Sequence, residues 1–107
     1  MQLLTDELRQ EFARIGPQEH NPIVVAKFFN PQGAGTWYAT EYDEARRCFL
    51  GFVSIFGDHC DEWGSFSLDE LESYRGRFGL GIERDLHFTP TRANHIPTIA
   101  KSITPHV

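Results

Sequence analysis

Leu4, Leu8, Phe12 and Ile15 recur at spacings of four, four and three, which places them on one face of a helix. Thr5 stands where an N-cap belongs, Asp6 and Glu7 fill the first turn, and Gly16-Pro17 ends the segment. After a polar loop, Ile23-Val-Val-Ala-Lys-Phe-Phe29 is β-branched and aromatic over a strand's length. Asn30 to Gly35 is rich in turn formers, and Thr36-Trp-Tyr-Ala-Thr-Glu-Tyr42 again favours strand, so the two runs predict a hairpin. The charged Asp43-Glu-Ala-Arg-Arg47 closes a second hairpin onto the run from Cys48 to Phe56, and a three-stranded meander results.

Gly57 to Gly64 is polar and bounded by glycine, as expected of a loop. Ser67-Leu-Asp-Glu70 has the capping-box spacing, and Leu68, Leu71 and Tyr74 follow at three-residue steps before Gly76, which predicts a short second helix. Ile82 to Phe88 alternates as a last strand that Pro90 stops. From there to Val107 the chain holds three prolines and no acid, and it reads as a tail. The expected fold is α+β: an antiparallel β-meander of about four to five strands with an N-terminal helix and a short second helix. Residues 1–90 form a single domain and 91–107 an extended or flexible C-terminal tail.

A chain of 107 residues leaves room for one core. No apolar run approaches the roughly 18 to 20 residues of a membrane span, which excludes that class. The opening Met1 to Glu7 lacks the basic stretch of a secretory signal, so the expected location is cytoplasmic. Cys48 and Cys60 form no C-x-x-C pair and read as two reduced thiols. Nine Phe, three Tyr and two Trp suit the core of a small domain. Stacking on bases would require a positive groove beside the rings, and the net charge of −5 points away from nucleic acid.

Phe28-Phe29, the run Thr36-Trp-Tyr-Ala-Thr-Glu-Tyr-Asp43, Phe66-Ser-Leu-Asp-Glu-Leu71 and Phe78-Gly-Leu-Gly-Ile-Glu-Arg-Asp85 resemble the bacterial domain-of-unknown-function family 2958, over roughly Leu3 to Pro90. The resemblance implies a plasmid, phage or integrated-element setting and transfers no reaction, cofactor or catalytic residue. The chain departs from the family pattern in the loop Asp58 to Trp63 and in its long tail.

If Leu80 to Phe88 is one regular strand, Glu83, Asp85 and His87 share a face, and Glu41 could add a further oxygen. Two carboxylates and an imidazole suit Mn²⁺ or Fe²⁺, which would make the protein a metal-dependent hydrolase; the same alternation equally serves the solvated face of an outer strand. Arg84 then falls on the core side and needs a partner. Glu41 or Asp43 would supply a bidentate pair, a bulge near Glu83 would turn Arg84 outward, and recognition of a phosphate or carboxylate is the remaining role. Asp58-His59-Cys60-Asp61, with Cys48, His87 and His95 as distant partners, falls short of the two close ligand pairs that announce zinc. The glycines at 33 and 35 and at 76, 79 and 81 lead into strands, not helices, so they make no phosphate cradle and no cofactor is expected.

The strongest asymmetry is one of charge. Asp58, Asp61, Glu62, Asp69, Glu70 and Glu72 follow one another with no basic residue between them, while Arg75, Arg77 and Arg84 come just after. A solvated helix face and loop account for such a run, and so does a patch for a basic protein partner or a mimic of nucleic-acid phosphates. The functional expectation is a small acidic regulatory or interaction protein of a mobile element that binds a protein partner, with counter-defence as one version and with no catalytic residues.

Overall fold

The computed structural model describes residues 1–56 and 60–103. Helix α1, Asp6–Ile15, begins where the cap predicts: Thr5 Oγ1 accepts the Leu8 N–H at 3.2 Å. The strand run after it is split. β1, Ile23–Val24, and β2, Ala26–Phe29, flank Val25, whose N–H is drawn to the Ala39 carbonyl at 2.8 Å. β3, Thr36–Asp43, and β4, Cys48–Ser54, complete the two expected hairpins.

β5, Glu62–Ser67, occupies a stretch expected to be mostly loop and pairs with β4 from Cys48↔Ser67 to Val53↔Glu62. Its Gly and Ser content hides it locally, and the ladder offered by β4 makes it a strand. Ser67 then caps α2, Leu68–Ser73, its Oγ accepting the Glu70 N–H at 3.1 Å. The expected last strand shrinks to β6, Glu83–Arg84, because Asp85 Oδ1 accepts the His87 N–H at 2.9 Å and turns the chain. The main sheet is antiparallel in the order β5-β4-β3-β2-β6.

Residues 91–103 are not an extended tail. β7, Thr91–Arg92, pairs with β1, and a 3₁₀ turn at Ala93–His95 leads to α3, Pro97–Ala100. Ala93 and Ile99 are fully buried with Val24, Tyr38 and Phe52, with Ile96 and Ile103 packed alongside. These apolar positions recur at three, three and four residues, a helical period hidden between prolines. Leu3, Leu4, Phe12, Leu68 and Leu71 cover the opposite face, against Phe28, Ala39 and Phe49.

β3 carries a bulge. The register with β4 shifts between Ala39 and Glu41, and the extra residue, Thr40, is buried with its Oγ1 donating to the Leu50 carbonyl at 3.0 Å. Gly51 lies beside it, where a Cβ would stand 1.9 Å from the Tyr38 carbonyl oxygen.

Candidate partner-binding groove

Arg84 makes neither expected ion pair, because β2 lies between β6 and β3. Its Nη1 donates to the carbonyls of Gln2 at 2.5 Å and Leu3 at 3.0 Å, which ties the N-terminal segment to the sheet edge. Glu41 accepts the Gln18 N–H at 3.1 Å, and Asp43 Oδ1 accepts the Ala45 N–H at 3.0 Å within its own turn. Glu83, Asp85 and His87 do not share a face, since the strand ends at Arg84. Asp85 lies 3.7 Å from Lys27 Nζ and His87 is exposed. Among the described residues no three His, Cys, Asp or Glu side chains group as metal ligands would.

The acidic run is divided by the fold. Asp58 lies outside the described residues. Arg47 takes Asp69 at 3.0 Å and reaches Glu72 at 3.9 Å, so two of the carboxylates are drawn to a cation on the neighbouring turn. Asp61 turns inward, one oxygen accepting the Ser54 hydroxyl at 2.8 Å and the other buried without a partner. Glu62 and Glu70 are exposed and make no ion pair among the described residues, and Asp69 stays exposed beside Arg47.

Glu70 lines a groove on the sheet face that also carries Glu62. Cross-strand neighbours share a face, and the register sets Phe28, Trp37, Val53 and Glu62 in a single row on the side that bears α1 and α2. The helices cover only part of that side. Over Trp37 the face opens into a groove of about 360 Å³, with Phe66 in its floor, Glu70, Leu71 and Tyr74 along one wall, and Asn30, Ala34 and Ile55 along the other. Phe66 is held by stacking on Phe49, ring centres 5.4 Å apart, and the Tyr74 hydroxyl accepts from Asn30 Nδ2 at 3.4 Å. Aromatic faces next to carboxylates suit a cationic group, through ring quadrupole and charge together.

Trp37, Tyr74 and Asn30 carry no mark in the sequence beyond their hairpin and helix contexts; only the four-residue step from Glu70 to Tyr74 hinted at a shared wall. Glu41 belongs to a separate cleft of about 310 Å³ on the opposite face, with Gln18, Leu50, Trp63 and Ser102 in its lining. There the Trp63 indole N–H donates to Ser102 Oγ at 3.0 Å, pinning α3's end against the sheet.

An antiparallel five-stranded sheet covered by helices on one side and a C-terminal segment on the other, with an aromatic groove that Glu70 lines, defines a small α+β domain. The chain belongs to the family described as protein of unknown function DUF2958, whose model matches residues 2–100. That match runs past residue 90 and takes in α3. No curated protein and no solved structure matches the chain. Among the described residues no helix is long and apolar enough to cross a membrane.

Proposed function

We propose that the protein is a small interaction module that binds a protein partner through a basic segment, an arginine or lysine of which seats in the groove over Trp37. The observation that carries this reading is the placement of Glu70, exposed on the wall of a groove that Trp37, Phe66 and Tyr74 also line. A guanidinium there would lie over an aromatic face while its N–H groups meet a carboxylate, each contact contributing about 0.5 to 2 kcal/mol. The acidic surface of the sequence reading thereby narrows from six carboxylates to Glu70 and Glu62. On this reading the protein is a regulatory factor of a plasmid- or phage-type element, as the family resemblance implies, acting by occupancy and not by turnover.

Amide and indole chemical-shift mapping with a short capped arginine peptide tests it. Perturbations should centre on the Trp37 indole and on Phe66, Glu70 and Tyr74, and Glu70→Lys should remove them. Shifts spread evenly over all the acidic residues, or unchanged by Glu70→Lys, would reduce the binding to general electrostatics and defeat the proposal.

A further inference from the structure

We infer that the partner segment binds as an added strand along the outer edge of β5 and sends its basic side chain over Gly64 into the groove. This deepens the proposed function and rests on it.

The direction of β5's backbone groups is fixed by two hydrogen bonds. Thr40 Oγ1 donates to the Leu50 carbonyl, so Leu50 faces β3, and Ser65, directly opposite Leu50, is turned away from β4. The Leu68 N–H donates to the Arg47 carbonyl at 2.9 Å, so Leu68 faces the β4 side. In an antiparallel strand the N–H and C=O of one residue point the same way and alternate from residue to residue. Both bonds therefore give one phase: Glu62, Gly64 and Phe66 face β4, and Trp63 and Ser65 present their N–H and C=O outward. Sheet order places β5 at the edge, and among the described residues no strand pairs with that side.

Sheet edges are ordinarily blunted by Lys, Pro or a bulge. β5 has neither residue, and its register with β4 runs unbroken over all six positions. An extended backbone with alternating outward-facing donors and acceptors is the chemistry that edge matches.

The side-chain path is also open. Gly64 and Gly51 are cross-strand neighbours in the row next to Glu62, Val53 and Trp37, and a Cβ on Gly64 would meet nothing within 4 Å. Adjacent strands lie about 4.8 Å apart, so an arginine or lysine on the added strand is long enough to cross β5 at Gly64. It would pass between Glu62 and Phe66 and enter the groove at its Phe66 end, with Glu62 beside its stem.

The probe is a short capped peptide that alternates valine and threonine around a central arginine, compared with the same peptide N-methylated at alternate amides. N-methylation removes ladder donors and leaves the arginine intact. It should weaken binding by roughly tenfold or more, as the loss of two backbone hydrogen bonds implies. Ser65→Pro, which removes an outward N–H and leaves the β4 ladder whole, should do the same, and because the N-methylated peptide acts on the ligand alone, a folding defect in that variant cannot decide the result. If Glu70→Lys abolishes binding while N-methylation leaves it within about twofold, the groove reading stands and strand addition is overturned. If the unmodified peptide does not bind the wild-type chain, both readings fall. If Ser65→Pro changes the sedimentation of the chain alone, the edge belongs to a second copy and the proposal is likewise overturned.

Discussion

Gln18 joins three segments through one side-chain amide. Its Nε2 donates to the carbonyls of Ile23 at 2.9 Å and Thr40 at 3.0 Å, and its Oε1 accepts the Ile23 N–H at 2.7 Å. Nothing in the polar loop Pro17 to Pro22 marks this residue, because its partners are backbone groups brought near by the bulge at Thr40. Gln18→Ala should cost about 2 kcal/mol in urea unfolding, since it strands partly buried carbonyls; a loss under about 0.5 kcal/mol would mean that water replaces the amide freely. Gly51 is the second residue fixed by the bulge. Gly51→Ala sets a methyl against the Tyr38 carbonyl, so a destabilisation of roughly 3 kcal/mol is expected, and a neutral result would show that β4 can shift.

Tyr42 supplies the pH dependence at this scale. Burial first, and the Glu44 carboxylate beside it second, push its hydroxyl up to about 12, although the hydroxyl is sealed from water without a hydrogen bond of normal geometry. An unfolded tyrosine ionises near pH 10. A raised value means that the fold favours the neutral form, so this contribution is fully present below about pH 10 and is lost as pH rises toward about 12. Wild-type stability should therefore fall relative to Tyr42→Phe by roughly 1 to 2 kcal/mol across that window, after allowance for partial solvent screening. Parallel alkaline denaturation curves for the two proteins would contradict this.

Elements with strong local signals were legible before any tertiary contact was known. α1 declares itself through Thr5 and the Leu4-Leu8-Phe12-Ile15 stripe, α2 through its capping box, the first hairpin through dense turn formers and the second through a charged run, each between strand-favouring segments. β5 was not legible, because Gly64, Ser65 and Ser67 have little strand preference and pairing with β4 decides their state. The last strand was overdrawn for the converse reason: its alternation was real, but the Asx turn at Asp85 ended it. α3 was concealed by Pro97, which reads as a breaker yet sits at the start of the helix, where a missing N–H costs nothing. Since Ile99 is fully buried there, Ile99→Ala should lower stability by about 2 to 4 kcal/mol. A variant that unfolds at the wild-type midpoint would restore residues 91–103 to the status of a tail.

Over the whole molecule, the net charge of −5 resolves into local arrangements that composition could not separate. Arg47 draws in Asp69 and Glu72, Ser54 takes Asp61, and the carboxylates of the run left outside these pairs among the described residues are Glu62 on β5 and Glu70 on the wall of the aromatic groove. Pairing of this kind depends on which turn meets which helix, so the acidic run was readable in the sequence and its subdivision was not. The groove was illegible for the same reason: Trp37, Phe66 and Tyr74 come from three elements and meet only through the register of β3, β4 and β5 and the placement of α2. The central claim, that a cationic side chain seats against Glu70, is tested most directly by a charge-swap cycle read by calorimetry. Glu70→Lys against the arginine peptide and wild type against its glutamate counterpart should each lose binding by roughly tenfold or more, whereas Glu70→Lys with the glutamate peptide should recover most of it. A double swap that binds no better than either single swap would show that the two charges do not meet, and would contradict the account.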